Sequence, residues 1–288
     1  MKILLTGANG QLAQDIWLLA QKKGWEVIAF TREDLDISNF KQVKEAITTI
    51  KPDTVINCAA YNYVDKAEKE WEQALLVNGI GPRNLATICE NQAVSLVHFS
   101  TDYVFDGHKT TPYTIADLPS PLNKYGTTKL QGELEVSRLT NRYYLIRVSW
   151  VFGLKGKREV NFIKKLLLWA EKKDKLYIVS DQVSSPSYTE DVAKAVLDLI
   201  QTGRFGLYHV TNSGYCSRYE WADLVLRKID WSGALFPAKN EDFSSSVLRP
   251  AFSALDTFPL KSILGYELPT WQDATERFLK HWLSVKDT

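Results

Sequence analysis

The sequence predicts an α/β protein, a doubly wound parallel sheet with a smaller C-terminal lobe. From residue 1 to about 215, short apolar runs alternate with amphipathic stretches, the rhythm of repeated strand–helix–strand units. Most of the runs are near-continuous in apolar residues, as expected of strands covered on both faces. After about residue 230 the rhythm lapses into segments rich in Ser, Pro and aromatics, which read as a lobe attached to the sheet.

The strands are expected at Lys2–Leu5, Glu26–Phe30, Thr54–Cys58, Leu96–Ser100, Tyr144–Val148, Leu176–Val179 and Leu207–Val210. Helices are expected between them at 11–23, 38–50, 65–92, 125–138, 159–173, 189–202 and 217–229. Ser38, Thr189 (with Glu190 and Asp191 behind it) and Ser217 (with Glu220 three residues on) mark helix starts. Asp106–Lys124, carrying Pro112, Pro119 and Pro121, reads as a long loop, a kind usually tied to function. Gly233–Pro259 reads as loops, and a helix over 270–284 closes the chain. Residues 1–150 are expected to form a dinucleotide-binding domain. Residues 151–288 are expected to complete the sheet over 176–215 and to build the substrate lobe.

The chain has 288 residues, 35 Lys and Arg against 34 Asp and Glu, and 45% hydrophobic residues. That size buries a substantial core. A net charge of +1 argues against a dedicated nucleic-acid or membrane-surface binder, which relies on clustered cations. Cys58, Cys89 and Cys216 show no ligand spacing and fit a reduced cytosolic compartment. The N-terminal apolar run Ile3–Leu5 is too short for a signal-peptide core, and no run reaches the length of a membrane span. His98, His108, His209 and His281 show no ligand spacing, so no metal site is expected from them.

Thr6-Gly7-Ala8-Asn9-Gly10-Gln11-Leu12-Ala13 follows the first strand and opens the first helix. Gly7 and Gly10 allow a tight turn and let the backbone approach a pyrophosphate, whose charge meets the helix N-terminus. The spacing Gly-x-x-Gly-x-x-Ala is tighter than the usual Rossmann fingerprint. After strand two stands Thr31-Arg32-Glu33-Asp34: Arg32 favours the 2′-phosphate of NADP, while Glu33 and Asp34 keep NAD open. Ala59 and Ala60, at the end of strand three, are small where a cofactor needs close backbone approach.

Tyr125 and Lys129, four apart, share one face of a helix that starts after Pro121-Leu122-Asn123. A nearby ammonium favours phenolate and is expected to lower the Tyr125 hydroxyl pKa toward neutrality, which suits proton transfer at a carbonyl. Strand four ends at Phe99-Ser100-Thr101-Asp102. Carboxyl ends of strands line the crevice of an open parallel sheet, so the Thr101 hydroxyl is placed to meet a substrate carbonyl.

These residues carry a resemblance. Ser100-Thr101-Asp102-Tyr103-Val104-Phe105-Asp106-Gly107, Pro121-Leu122-Asn123-Lys124-Tyr125-Gly126-Thr127-Thr128-Lys129-Leu130-Gln131-Gly132-Glu133, Val64-Asp65-Lys66-Ala67-Glu68, Ser149-Trp150-Val151-Phe152-Gly153, Ser180-Asp181-Gln182 and Arg249-Pro250 resemble the extended short-chain dehydrogenase/reductases. Within them, the chain is similar to the dTDP-4-dehydrorhamnose reductase family over nearly its whole length. The resemblance implies that Gly10, Gln11 and Leu12 hold the cofactor pyrophosphate, that Asp36 and Ile37 contact the adenine side, and that Ala60, Tyr61, Asn62 and Phe99 line the cofactor channel. It implies Tyr125 as proton donor, Lys129 on the nicotinamide ribose, Thr101 and Asp102 at the sugar carbonyl, and Trp150 packed on the substrate. The implied reaction is NADPH-dependent reduction of the C4 ketone of dTDP-4-dehydro-6-deoxy-L-mannose to dTDP-L-rhamnose, with NADH as the other cofactor, in a cytoplasmic homodimer. Some relatives dimerise through Mg²⁺. Here Glu190 matches such a position, Asp15 replaces a usual Glu, and the tail Leu283–Thr288 offers no clear third ligand.

An epimerase or dehydratase on the same scaffold is the alternative enzyme, and a nucleotide-binding regulatory subunit the non-enzyme reading. Tyr103 rather than a second acid follows Asp102, which weighs against the dehydratase. The presence of Thr101, Tyr125 and Lys129 together weighs against the regulatory subunit.

Overall fold

Six parallel strands, β1 (Lys2–Thr6), β2 (Glu26–Phe30), β3 (Thr54–Asn57), β4 (Ser95–Thr101), β5 (Tyr143–Val148) and β6 (Gly206–His209), form the central sheet in the order β6-β5-β4-β3-β1-β2. The computed structural model describes residues 1–156, 161–243 and 247–286. The helices used below are α1 (Gln11–Lys22), α2 (Phe40–Ile50), α3 (Gly81–Asn91), α4 (Lys124–Leu139), α5 (Phe162–Ala170), α6 (Thr189–Gln201), α7 (Arg218–Lys228) and α8 (Trp271–Lys286). From β1 the chain steps to β2 on one side and later to β3 on the other. That reversal opens a crevice at the carboxyl ends of β1 and β3.

Burial explains the continuous apolar runs. Alternate strand residues point to opposite faces, and both faces are covered. Ile3, Leu5, Ile56, Val97 and Ile146 pack against Ile16 of α1 and Val192 and Val196 of α6. Leu4, Val55 and Leu96 pack on the other face against Val43 and Ile47 of α2, Leu85 and Ile88 of α3 and Val136 of α4. A separate core of Phe152, Ile163, Leu166, Tyr188, Trp221 and Phe278 holds the lobe.

Several expected elements are corrected. Lys175–Val179 does not enter the central sheet but pairs with Ala234–Ala238, a strand inside the segment read as loops; of the expected late strands only β6 joins the sheet. Apolar content marks a strand without naming its partner. The helix expected over 65–92 is broken into Val64–Ala67, Trp71–Leu75, a π-turn at Leu76–Ile80, and α3. Pro82 lacks the N–H that would bond the Asn78 carbonyl, and an interrupted ladder is where a π-turn forms. Asn39 rather than Ser38 caps α2, accepting from the amides of Lys41 and Gln42. The helix expected from Thr189 does begin there, with Glu190 and Asp191 in its first turn, and the Thr189 hydroxyl donates to Asp15 at 2.5 Å. The helix expected over 159–173 begins at Phe162; residues 157–160 lie outside the described residues. Ser217 and Glu220 form the expected capping box of α7.

The face of the sheet toward the long loop is held by a buried ion pair. Arg147 on β5 meets Glu133 on α4 through two contacts, Nε at 2.9 Å and Nη2 at 2.6 Å, with the guanidinium 5.0 Å from the Phe105 ring. Removing one member of such a pair leaves an uncompensated charge. Glu133→Gln is therefore expected to cost about 3–5 kcal/mol in urea unfolding, and the double variant Glu133→Leu/Arg147→Met to recover most of it. A loss in the single variant as small as that of an exposed pair would show that the guanidinium finds water instead.

Candidate active site

The glycine turn is built by close approach. Gly7 has φ +68°, and a Cβ there would stand 2.7 Å from the Ala59 amide nitrogen and the Cys58 carbonyl carbon, so the turn needs glycine on both counts. The Gly10 amide donates to the Gly7 carbonyl at 2.8 Å, closing the turn. Gly10 caps α1 with no side-chain hydrogen bond, which leaves the N–H groups of the first turn open to an anion.

A cavity of about 340 Å³ starts at this turn. It runs past the ends of β3 and β4 to α4 and Trp150. Of the expected site residues, Gly10, Gln11, Leu12, Ala59, Ala60, Asn62, Phe99, Thr101, Asp102, Tyr125, Lys129 and Trp150 line it. Gln11 ties the turn to the lobe: its amide donates to the Val151 carbonyl at 3.2 Å and its oxygen accepts from Asn161 at 3.0 Å.

Five expected residues are not brought to the cavity wall. Gly7 lies behind it, shaping the turn. The Tyr61 hydroxyl donates to Glu70 at 2.5 Å, and the Tyr61 backbone is held by the Asn78 side chain. Ile37 is buried in the core beside α2, and Asp36 accepts from the Ser38 amide and hydroxyl at 2.9 and 2.7 Å. Arg32 is exposed on the loop after β2.

Asn123 caps α4, accepting from the Gly126 amide at 2.8 Å. Gly126 lets this helix start directly beneath the Tyr103 carbonyl, where any Cβ would collide. That approach sets Tyr125 edge-on to Tyr103, with ring centres 5.9 Å apart at 80°. The Tyr125 hydroxyl lies 3.5 Å from Asn62 Oδ1 and meets the Thr101 side chain. Lys129 is buried, and its ammonium donates to the Phe99 carbonyl at 2.5 Å.

Electrostatics corrects the expected phenol acidity. Burial pushes the Tyr125 hydroxyl well above the usual tyrosine value, with Asp102 and Tyr103 adding to the rise and Thr101 opposing it. Lys129 turns its charge to the Phe99 carbonyl, and burial lowers its own pKa to about 8. Tyr125 is therefore a protonated phenol at neutral pH and Lys129 an ammonium. Tyr125 can thus serve as a proton donor.

Asp102 forms the node between sheet and lobe. It is 2% exposed and accepts from Ser253 at 2.6 Å, Ser184 at 3.1 Å and Thr101 at 3.1 Å. Ser149, after β5, sits 2.7 Å from the Ser184 hydroxyl and 2.5 Å from the Ser185 carbonyl. Thr101 also accepts from the Tyr103 amide at 3.2 Å, which fixes its oxygen at the strand end. Next to this network Trp150 takes φ +41° and stacks on Trp221, with planes 2° apart. Ser100 lines the cavity with a buried hydroxyl that has no protein partner.

Ser149, Ser184 and Ser253 were not among the expected site residues. They come from three separate chain segments, and no spacing rule links isolated hydroxyls. Near α6, Asp15 accepts from Thr189 at 2.5 Å, and burial raises its pKa. Among the described residues no group of three or more His, Cys, Asp or Glu could hold an ion; Asp287 and Thr288 of the tail lie outside them.

Over residues 1–284 the chain matches the family described as RmlD substrate binding domain. It is 38% identical over 287 residues to the spore coat polysaccharide biosynthesis protein SpsK of Bacillus subtilis, covering 99% of each chain. It is 34% identical to the dTDP-4-dehydrorhamnose reductase of Burkholderia thailandensis, covering 99% of this chain and 100% of the relative. Among solved structures, the dTDP-4-dehydrorhamnose reductase from Bacillus anthracis in complex with NADP superposes with a TM-score of 0.93 at 34% identity, over 97% of this chain and 99% of that one.

The Asp102 node has a pH signature. Burial raises its pKa from 3.8 to about 6, with the Ser253, Ser184 and Thr101 hydroxyls opposing the rise. The folded state then binds more protons than the unfolded state between those values, so this group's contribution to stability falls as pH rises from 3.8 to about 6 and is flat beyond. The gap is worth at most about 3 kcal/mol. The unfolding free energy of wild type minus that of Asp102→Asn is expected to drop by up to that amount across this window in denaturant titrations. A difference independent of pH would overturn the assignment.

Proposed function

The chain belongs to the RmlD substrate binding domain family, and from that membership we propose that it reduces the C4 ketone of dTDP-4-dehydro-6-deoxy-L-mannose to dTDP-L-rhamnose with NADPH, the reaction of a dTDP-4-dehydrorhamnose reductase. One observation carries the reading. The Tyr125 hydroxyl, Thr101 and the Lys129 ammonium converge on a cavity that is continuous with an anion-ready glycine turn.

The chain fits a dinucleotide. The cradle at Gly7 that a Cβ would fill, the uncapped first turn of α1 and the unpartnered Ser100 hydroxyl all face or shape one cavity. Gly10, Gln11 and Leu12 would hold the pyrophosphate through backbone N–H groups, and Ala59, Ala60, Asn62, Phe99 and Lys129 would border the nicotinamide end. Arg32 would favour the 2′-phosphate of NADPH over NADH, and Asp36 and Ile37 would meet the adenine side. When bound, the nicotinamide supplies the hydride.

The residues supply the rest. Tyr125 donates to the ketone oxygen, and the Thr101 hydroxyl, on turning from Asp102, donates to it as well, which polarises the carbonyl. As negative charge grows on that oxygen, Tyr125 transfers its phenolic proton to it, and the phenolate left behind is stabilised by the Lys129 ammonium. A phenol held protonated by burial suits this direction of transfer. Trp150 offers a ring face to the substrate, fixed by its stack on Trp221.

The three cysteines are free thiols, which supports a cytoplasmic location, and no helix among the described residues is long and apolar enough to cross a membrane. A homodimer rests on the resemblance. Mg²⁺ rests on the resemblance alone: among the described residues no group of three or more His, Cys, Asp or Glu is placed to hold an ion.

Purified protein is expected to consume NADPH in the presence of the dTDP-4-keto sugar. Net consumption separates reduction from epimerisation, and a silent assay would favour a regulatory subunit. Tyr125→Phe is expected to lower that rate about a hundredfold or more with an unchanged melting temperature; full activity in this variant would remove Tyr125 from the chemistry.

A further inference from the structure

Arg218 is the first residue of α7, on the lobe, and its side chain reaches back toward the end of β4. Its guanidinium carbon lies 3.6 Å from the centre of the Trp150 ring, 4.8 Å from Phe162 and 5.6 Å from Trp221. Aromatic faces orient a guanidinium without neutralising it. Among the described residues no carboxylate lies within ion-pairing distance of it, and Asp102, whose field it feels, is already bound by three hydroxyls. Burial lowers its pKa to about 10, so it remains charged at neutral pH.

A second cation adds to the field. Arg249 bonds Tyr103 and also pairs with Asp65 at 2.7 Å, and its like charge bears on Arg218. The two guanidiniums therefore stand behind the wall of the substrate end, Arg218 against Trp150 and Arg249 on Tyr103, one paired with an acid and the other, among the described residues, with none. A desolvated cation without an acid is costly unless an anion arrives to meet it. The cofactor pyrophosphate is assigned to the opposite end of the cavity, at Gly10.

We propose that Arg218 binds the diphosphate of the sugar nucleotide, with Trp150 as the surface that orients its planar fork. A guanidinium fork matches phosphate oxygens two at a time, which an ammonium does not. The proposal rests on the reading of this cavity as a sugar-nucleotide site, and it adds the group that recognises the second phosphate.

The test is calorimetric binding of dTDP, dTMP, thymidine and NADP⁺ to the full chain, as wild type, Arg218→Gln and Arg218→Lys, each checked by its melting temperature. In Arg218→Gln the affinity for dTDP is expected to fall about 10- to 100-fold, that for dTMP less, and those for thymidine and NADP⁺ not at all. Arg218→Lys is expected to fall between, and it carries the test if the Gln variant does not fold. Equal weakening of dTDP and thymidine would make Arg218 only a prop for Trp150, and weakening of NADP⁺ instead would assign it to the cofactor; either overturns the proposal. Wild type that binds dTDP while the variants bind it equally well sinks the proposal alone. Wild type that binds no nucleotide diphosphate sinks the site reading and the proposal with it.

Discussion

A carboxylate taken out of water needs compensation, and the Asp102 carboxylate receives it from three hydroxyls on three parts of the chain. Thr101 comes from the end of β4, Ser184 from the lobe and Ser253 from the segment before α8. Each donor offsets part of the desolvation cost, and none alone would suffice. The lobe must therefore sit against the sheet for Asp102 to be buried at all. This registration places Trp150 and Ser149, at the end of β5, on the same cavity as Tyr125 and Lys129, on α4.

Burial also sets the chemistry, and it acts with opposite sign on neighbouring groups. The same desolvation that raises the pKa of Tyr125 and Asp102 lowers those of Lys129 and Arg218. In an ordinary core these would be four unpaired liabilities. Here each has a defined partner or a defined vacancy of charge: Tyr125 meets Thr101, Asp102 meets its hydroxyls, Lys129 meets the Phe99 carbonyl, and Arg218 meets ring faces. Tyr-x-x-x-Lys spacing alone suggests a phenol made acidic by its lysine. The folded arrangement instead gives a phenol that burial keeps protonated at neutral pH.

Local pattern was enough to read much of this. The doubly wound sheet follows from apolar runs because both faces of β1, β3 and β4 are covered, and the glycine turn follows because only glycine tolerates the approach of β3 to Gly7. Twelve of the expected site residues stand on the cavity wall because strand ends and the first turns of helices point there by geometry. What local pattern did not reveal depends on long-range contact. The partner of Lys175–Val179 is Ala234–Ala238, more than fifty positions away, and its composition gives no sign of which strand it will meet. Tyr61 sits in the run that lines the channel, yet Glu70 draws its hydroxyl aside. The serines that hold Asp102 carry no periodicity, and Arg218 reads in sequence as an ordinary charge at a helix start.

The near-zero net charge is consistent with this economy of charge. Two diphosphates would bring several negative charges into one cavity, yet the chain carries only one more basic than acidic residue. The cofactor end would be met by peptide N–H groups of α1, which contribute partial charge without ionisable side chains. Behind Trp150 and Tyr103, which line the other end, stand the guanidiniums of Arg218 and Arg249, and Arg249 is already paired with Asp65. A globally basic surface would attract any polyanion. One half-buried cation held against Trp150, with no acid beside it among the described residues, would instead restrict the attraction to a ligand that also fits the cavity.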